Sequence, residues 1–300
     1  MIFLVGAPTD DPLRTVAEEL STLEEPFQFF DPCLSDVHLI HKWEPGREAT
    51  IAIAREELNL DSVSAAYLRP YSSVPGSPRR HAALLTVLAW ADTTKCAVLN
   101  RPEASVLNMS KPTQLRLIRE CGFLTPRTLL TTTVEDVIDF RKEVGELIYK
   151  SVGSIRSIVR RLPHGFSDFD NVSNCPTQFQ EYIPGNDVRV HVLGTNVYPL
   201  LIRTDSDDYR YAQPNGEGVE MAPTVLPTDL EESVVSMVQR MGLVFAGVDL
   251  RQHQSGDWYC LEVNPSPGFT FYERLSGIRL APVIATYLAD ASRYFQEQGY

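Results

Sequence analysis

The sequence predicts an α/β protein in which a small parallel α/β domain precedes a larger α+β region. The first hundred residues alternate short apolar strands with helices, which is the pattern of a parallel sheet with crossover helices. Residues 187–203 and 244–264 instead have the pattern of antiparallel hairpins. With 300 residues, 43% of them hydrophobic, the chain is long enough for two or three packed subdomains.

Short apolar runs predict the strands of the first domain, and amphipathic or apolar segments predict its helices. The segment TIAIAREEL at 50–58 fits either a strand or a helix, and both interpretations stay open. The first strand runs into GAPTDD, which has one glycine, so the sequence does not support a dinucleotide-binding fingerprint. The strands are expected at 2–6, 27–32, 64–71 and 97–100, and the helices at 12–23 and 81–92.

Capping residues predict where the later helices begin and end. Ser110 is expected to cap a helix that ends at Gly122. Thr132 and Glu135 have the spacing of a capping box for the next helix, and Thr228 is expected to cap a third. Strands are predicted at 146–152, 155–162 and 177–183.

Charge and cysteine content exclude several classes of protein. The formal net charge of -12 argues against a chain that binds nucleic acid or an anionic membrane surface, because both require basic surfaces. No apolar run is long enough to span a bilayer. The five cysteines are widely spaced without a Cys-x-x-Cys pair, which favours the reducing cytoplasm over a disulfide framework or a zinc site.

The segment VFAGVDLRQHQSGDWYCLEVN predicts two strands around a two-residue turn, Ser255–Gly256. That register places Asp249 directly opposite Glu262, with Asn264 two residues further along the same face. Two carboxylates and an amide oxygen are ligands of the kind that Mg²⁺ takes. The alternative is that the two carboxylates are solvated charges, or that Arg251 neutralises them.

The text GVDL…LEVNPSPG resembles the metal-binding hairpin of the ATP-grasp superfamily. It is most similar to the RimK-type carboxylate–amine ligases and to the related ligases that crosslink ribosomally made peptides. Further segments resemble the family in order between about residues 98 and 275: NMSKPTQLRLIRECGFLTP, LIYKSV, FQEYIPGNDVRV and DSDDYR. The resemblance implies an α+β ATP-grasp fold with an N-terminal domain at 1–98, a central subdomain at 99–180 and a C-terminal subdomain at 181–300. The last two would enclose ATP between them.

The resemblance also implies roles for individual residues. Lysines at two of the matching segments would contact ATP phosphates, as compact point charges. A hinge would bind adenine through its backbone, and an aspartate would bind the ribose hydroxyls. Arginines would surround the transferred phosphoryl group, where several cations are needed. The implied residues are Lys111, Lys150, Gly153, Ser154 and Arg156 for phosphates, Glu181, Tyr182 and Ile183 for adenine, Asp187 for ribose, Arg189, Arg203 and Arg210 for the phosphoryl group, and Asp249, Glu262 and Asn264 for Mg²⁺.

Two features bear on the metal count and on the acceptor. RimK-type enzymes follow the phosphate arginine with Ser-Asn, whereas this chain has YRYAQPNGEG with Asn215 three residues late. Two Mg²⁺ ions, replaceable by Mn²⁺, are expected from the family, but this departure leaves their number open. The segment GFTFYE at 268–273 would meet the acceptor through Tyr272 and Glu273, or would serve only for packing.

These observations predict an ATP-dependent ligase that activates a carboxylate as an acyl-phosphate and joins it to an amine, on a small molecule, a peptide or a protein. The alternatives are a kinase of the same fold that transfers phosphate to a hydroxyl, and a non-catalytic ATP-binding regulator. The identities of the two substrates, an amide or ester product, and a homo-oligomeric state stay open.

Overall fold

The structure, a computed structural model, describes residues 1–33, 37–43, 49–53, 56–70, 77–106, 110–152, 159–163, 165–166, 169–204, 206, 208–211 and 218–298. The chain divides into two compact units. The first contains Met1–Ser105, Gly242–Phe245 and Ser266–Tyr300, and the second contains Val106–Met241 and Ala246–Pro265. Subdomain boundaries after residues 98 and 180 stay predictions.

The first unit contains a parallel four-stranded sheet, as the alternation of strands and helices predicts. Its strands follow the order β2–β1–β6–β7, and the central strand β1 is completely buried. A second sheet, with the order β3–β4–β5, is antiparallel. The strands are β1 (Ile2–Val5), β2 (Phe27–Phe30), β3 (Val37–Trp43), β4 (Ala49–Ile53), β5 (Glu56–Asn59), β6 (Ala65–Leu68) and β7 (Ala97–Leu99).

Two further sheets form the second unit. A four-stranded antiparallel sheet has the order β10–β9–β11–β8, and a five-stranded sheet has the order β14–β13–β12–β15–β16. Together with the parallel sheet of the first unit, they confirm the predicted α/β fold class. The strands are β8 (Thr128–Thr131), β9 (Leu147–Ser151), β10 (Arg160–Arg161), β11 (Thr177–Glu181), β12 (Asn186–Leu193), β13 (Asn196–Thr204), β14 (Val219–Pro223), β15 (Phe245–Gln252) and β16 (Trp258–Asn264).

Each helix except the four-residue α3 has buried residues. Asp10 caps the first helix by accepting a hydrogen bond from the backbone N–H of Leu13 at 3.1 Å, which satisfies one of the free donors of a helix start. No helix among the described residues is both long enough and apolar enough to cross a membrane. The helices are α1 (Asp11–Thr22), α2 (Pro78–Thr93), α3 (Pro102–Ser105), α4 (Lys111–Glu120), α5 (Val134–Val144), α6 (Thr228–Arg240), α7 (Thr270–Ser276) and α8 (Leu280–Glu297).

The structure settles or corrects three local predictions. The ambiguous segment TIAIAREEL contributes to strands β4 and β5 in its described part. Thr133, and not Thr132, occupies the N-cap position of α5; its side chain makes no capping hydrogen bond, and its backbone N–H donates to Thr131 Oγ1 at 2.9 Å. Helix α6 has Pro227 at its N-cap, so Thr228 is its first residue; proline fixes φ near the helical value and suits a helix start.

Candidate active site

The hairpin of β15 and β16 carries the two carboxylates that the sequence singles out. Asp249 lies directly opposite Glu262, and Gly247 lies opposite Asn264. Both carboxylates line one open cavity of the second unit. Two acidic side chains at adjoining positions repel each other unless cations lie close to them.

The turn of this hairpin differs from the prediction. The loop has three residues and not two, because His253 pairs with Asp257 and the backbone N–H of Gly256 donates to the carbonyl of His253 at 3.0 Å. Gly256 has φ +94°, a left-handed conformation that glycine adopts readily and that closes three-residue hairpins. Strand pairs near the turn are therefore shifted by one residue, as in Leu250 opposite Cys260.

A β-bulge at Leu261 removes this shift before the carboxylates are reached. The register changes between Asp249 and Leu250, so Leu261 is the extra residue of β16. Leu261 and Glu262 consequently both line the cavity, although neighbouring strand residues usually face opposite sides. Cys260 is fully buried, and burial raises the pKa of its thiol.

Asp249 is bound by a buried arginine. Arg189 Nη1 donates to Asp249 Oδ1 at 2.8 Å, and the hydroxyl of Tyr209 lies 3.3 Å from the same oxygen. Arg189 alternates with Val188 and Val190 along β12. All three residues are buried, and Arg189 is only 4% exposed.

A second ion pair, between Arg251 and Asp187, joins β15 and β12 at positions two residues away on each strand. Arg251 Nε donates to Asp187 Oδ1 at 2.7 Å, and Arg251 Nη1 donates to the carbonyl of Ile183 at 2.8 Å. Burial raises the pKa of Asp187, and Arg251 opposes that effect. The sequence suggests Arg251 only as a counter-charge to the facing carboxylates, whereas its partners in the structure are Asp187 and Ile183. Its partners lie more than sixty residues earlier, which no local pattern reveals.

The predicted hinge lies at the end of β11, but two of its donors are already engaged. The backbone N–H of Glu181 donates to Arg127 and that of Tyr182 donates to Glu146, both at 2.9 Å. Contact with adenine by these two residues would therefore use their carbonyl oxygens. The guanidinium carbon of Arg161 lies 4.0 Å from the ring centre of Tyr182, a cation–π contact.

Both predicted phosphate lysines are buried. Lys111 begins helix α4 with 8% exposure, and Lys150 on β9 has 9%. Lys150 Nζ donates to Gln180 Oε1 at 3.4 Å, and Gln180 is oriented by Thr128, whose Oγ1 accepts from its amide nitrogen at 3.0 Å. Burial, followed by repulsion from Lys111, lowers the pKa of Lys150 to about 8; burial also lowers that of Lys111.

The remaining arginines differ from each other. Arg210 binds Asp208 through Nε at 2.8 Å and through Nη2 at 2.7 Å, and it lines the cavity. Arg203 is exposed and lies opposite Glu220 on β14, outside the cavity lining.

Residues 268–273 belong to the first unit. Phe269 and Tyr272 are buried, and Glu273 Oε1 accepts from the backbone N–H groups of Leu280 at 2.6 Å and Ala281 at 2.8 Å. Glu273 therefore caps α8, a role that local sequence patterns do not reveal because the capped helix begins seven residues later. The role of this segment toward an acceptor stays a prediction.

Most of the predicted site residues surround one cavity. Asn264 ends β16 beside the carboxylates, and Lys111 lines a smaller adjoining cavity together with Lys150 and Glu262. The predicted loop residues Gly153, Ser154 and Arg156 lie outside the described residues, as does Asn215. The large cavity is lined by Lys150, Glu181, Tyr182, Ile183, Asp187, Arg189, Arg210, Asp249 and Glu262.

Gly247→Ala is expected to break the pair between Arg189 and Asp249. A Cβ atom at Gly247 would lie 1.9 Å from Arg189 Nη2, so the guanidinium would have to move. Leaving one charge of a buried pair uncompensated costs about 3–5 kcal/mol. Urea unfolding would measure the loss, with Gly218→Ala as the control because no atom of the residues that the structure describes lies within 4 Å of its added Cβ. Equal, small effects of both variants would contradict the dependence of the pair on Gly247.

Among curated proteins, the chain is similar to a synthase and to a ligase. The chain is 25% identical over 219 residues to "Beta-citrylglutamate synthase B" of Danio rerio, covering 68% of this chain and 53% of that protein. It is 28% identical over 195 residues to "Ribosomal protein bS6--L-glutamate ligase" of Salmonella newport (strain SL254), covering 61% and 64%. The chain thus spans about half to two thirds of the length of the curated relatives it matches.

Solved structures match over nearly the whole chain. The ATP-grasp ligase PsnB, complexed with a phosphomimetic variant of its minimal precursor, Mg and ADP, has a TM-score of 0.80 and 27% identity, covering 97% of this chain and 98% of that one. The macrocyclase MdnC from Microcystis aeruginosa MRC, bound with precursor peptide MdnA, has a TM-score of 0.78 at 21% identity over 96% and 99%, which shows a shared fold. The model of the RimK-like ATP-grasp domain matches residues 112–288, more than half of the sequence. The chain belongs to the RimK-like ATP-grasp family.

Proposed function

We propose that this protein is an ATP-dependent ligase that joins a carboxylate to an amine, with release of ADP and phosphate. The observation that carries the proposal is the convergence of two facing carboxylates, Asp249 and Glu262, with the buried cations Lys150 and Arg189 around one cavity. Buried charge of both signs is expensive to maintain and is concentrated at functional sites. Family membership and the names of the relatives support the same reaction class.

In this proposal the carboxylate substrate accepts the terminal phosphoryl group of ATP and becomes an acyl-phosphate. The amine then attacks the acyl carbon, phosphate leaves, and the amine loses a proton as the amide forms. The cations of the site suit this sequence because negative charge develops on the phosphoryl oxygens. Lys111 and Lys150 would hold the phosphates, with Arg189 and Arg210 near the transferred group, while Asp187 would accept from ribose hydroxyls.

The residues fit a bound Mg²⁺. Asp249 and Glu262 supply two carboxylates on one strand pair, and Asn264 follows two residues later. Among the described residues, no group of three or more His, Cys, Asp or Glu is arranged to hold a metal. Mg²⁺ does not require such a group, because it is usually held by one or two carboxylates with substrate phosphates completing its coordination shell. When bound, Mg²⁺ would neutralise charge on the phosphates. Two ions, and replacement by Mn²⁺, belong to the proposal.

A peptide is the substrate class with the most support. PsnB is described in complex with a minimal precursor, and with precursor peptide PsnA2 and AMPPNP, at 26–27% identity over 97% of this chain. We therefore place the protein among enzymes that modify peptides, with side-chain carboxylates and amines as the reacting groups. A cytoplasmic location and the absence of nucleic-acid partners remain part of the proposal.

Glu262→Gln is expected to abolish Mg²⁺-dependent ADP release while the protein stays folded. One of two facing carboxylates is lost, and the loss of metal-assisted charge stabilisation lowers turnover on the order of 100-fold or more. ADP release and product masses would be measured with ATP, Mg²⁺ and a panel of acidic and lysine-containing peptides. Glu220→Gln, at an exposed position of β14, is the matched control.

The product mass separates the candidate reactions. Loss of one water from a peptide identifies an internal crosslink, and an added residue identifies chain extension. A gain of one phosphate without amide formation would identify a kinase. Binding of ATP without turnover on any peptide would identify a regulator, and wild-type turnover in Glu262→Gln would remove Glu262 from the metal site.

Binding of an ATP analogue is expected to take up protons near pH 8. In the empty site the pKa of Lys150 is about 8, lowered by burial and then by Lys111. A phosphate beside the ammonium favours the charged form, so binding draws protons from solution. Above pH 8 the affinity is expected to fall, because a neutral amine attracts phosphate less. Titration calorimetry in two buffers of different ionisation enthalpy measures both effects.

Lys150→Met should remove the proton uptake and weaken binding, whereas Lys142→Met should change neither. Lys142 is exposed on α5, with Nζ 2.8 Å from Asp139, so its pairing is a surface contact of little energy. Similar small changes from the two variants would place the phosphates elsewhere.

Glu273→Gln tests whether the carboxylate of Glu273 serves the acceptor amine. Glutamine keeps an oxygen that can accept from Leu280 and Ala281, so the cap of α8 survives while the negative charge is lost. A role in attracting the amine or taking its proton requires slower ligation at unchanged affinity for ATP. Glu273→Ala, which also removes the cap, should cost about 1 kcal/mol of stability. Normal ligation by the glutamine variant would leave Glu273 with the capping role alone.

A further inference from the structure

Three glutamines are buried in the second unit near Lys150, and in two of them both the amide nitrogen and the amide oxygen have a hydrogen-bond partner. Gln114 Nε2 donates to the carbonyl of Val263 at 2.7 Å, and its Oε1 accepts from the N–H of the same residue at 3.0 Å. Gln180 accepts from Lys150 and donates to Thr128. Both side chains therefore hold neighbouring parts of the described protein together by hydrogen bonds.

The third glutamine, Gln178, makes no such side-chain hydrogen bonds to the described residues. It is 1% exposed, and neither its amide nitrogen nor its amide oxygen has a hydrogen-bond partner among the residues that the structure describes. A buried primary amide has two donors and an acceptor, and leaving all of them unsatisfied is unfavourable. Buried polar side chains are nearly always hydrogen-bonded, so we expect the amide of Gln178 to bond to a water molecule or to a ligand.

The position of Gln178 indicates what its amide could bind. Gln178 lies directly opposite Lys150 in the pairing of β9 with β11, so the two side chains share one face. They line a cavity of about 10 Å³ together with Lys111 and Glu262. This volume has room for about one water-sized group.

The charges around this cavity favour an anionic oxygen as the occupant. Two buried ammonium groups, Lys111 and Lys150, outnumber the one carboxylate, Glu262. An oxygen that carries negative charge can accept from both ammonium groups and from the amide N–H₂ of Gln178. Hydrogen bonds to charged oxygens are about twice as strong as those between neutral groups.

We propose that Gln178 is a binding residue for the terminal phosphate of a nucleoside triphosphate, donating its amide N–H to a phosphate oxygen that also contacts Lys111 and Lys150. The proposal rests on the proposed function, since it requires ATP in the adjoining cavity. It assigns to Gln178 a preference for triphosphate over diphosphate; Gln114 and Gln180 differ from it because both amide atoms of each already bind protein groups.

The test compares the binding of AMPPNP and ADP, each with Mg²⁺, to nucleotide-free protein by titration calorimetry. Gln178→Met keeps the length of the side chain and removes its polar atoms. It is expected to weaken AMPPNP binding about 10-fold, the effect of losing one hydrogen bond to a charged group, while ADP affinity stays within about two-fold. Gln239→Met, on the exposed face of α6, is the matched control and should change neither affinity.

Thermal melting of the empty protein provides a second, independent readout. Gln178→Met should melt no lower than wild type, because it removes an unsatisfied amide without removing a hydrogen bond made by the described protein. Gln178→Glu should melt higher, because its carboxylate lies opposite Lys150, and should weaken AMPPNP more than methionine does, because it repels phosphate. A lower melting temperature for both variants would mark Gln178 as a structural residue and overturn the proposal.

The outcomes separate this inference from the proposed function. If wild type binds both nucleotides and Gln178→Met keeps the wild-type ratio of AMPPNP to ADP affinity, the phosphate contact is wrong and ATP binding stands. An equal loss for both nucleotides also overturns the contact, since ADP lacks the terminal phosphate. If wild type binds neither nucleotide, the proposed function fails, and the assignment of Gln178 fails with it.

Discussion

The ion pair between Arg189 and Asp249 is the interaction on which the candidate site depends. It joins neighbouring strands of the five-stranded sheet, β12 and β15, and the arginine is almost fully buried. Gly247 leaves the space that the guanidinium occupies. Since a buried charge that loses its partner is strongly unfavourable, the pair fixes the carboxylate of Asp249 opposite Glu262. The positions of the proposed metal ligands thus follow from a cation two strands away from Glu262.

The second ion pair, between Arg251 and Asp187, joins the same two strands with the acid and the base exchanged. Asp187 and Arg189 are two apart on β12, and Asp249 and Arg251 are two apart on β15, so each strand presents one acid and one base on one face. Arg189 binds Asp249 and Arg251 binds Asp187. A slip of the strands by two residues would bring like charges together, so the ladder selects one register. The same ladder ties the proposed ribose-binding and metal-binding residues together.

Much of this site could be predicted because it depends on short-range patterns. Strand periodicity placed the carboxylates opposite each other, although the turn was assigned one residue too short. The bulge at Leu261 restored the pairing, and neither the bulge nor the three-residue loop has a fixed sequence signature beyond Gly256. The buried state of Arg189 and the partners of Arg251 could not be predicted, because both depend on residues about sixty positions apart.

The same limit explains two roles that were missed. Glu273 resembles a charge at the start of its own helix, yet it caps the next one. Gln178 and Gln180 are alternate residues of one strand with the same side chain, and the sequence cannot distinguish them. Only the three-dimensional neighbours show that Gln180 is engaged by Lys150 and Thr128 while Gln178 faces a small cationic cavity.

Burying Lys150 links the stability of the empty protein to its proposed ligand. The pKa of this lysine is about 8 in the folded protein against an ordinary value of 10.5, so between these pH values the unfolded chain binds more protons and the folded state gains stability as the pH rises. Below pH 8 both states carry the proton, and the folded protein bears the full cost of the buried charge. A bound anion removes that cost. The ligand-free protein therefore bears this cost at every pH below about 8, and a phosphate group there stabilises the fold by the same contact that binds it.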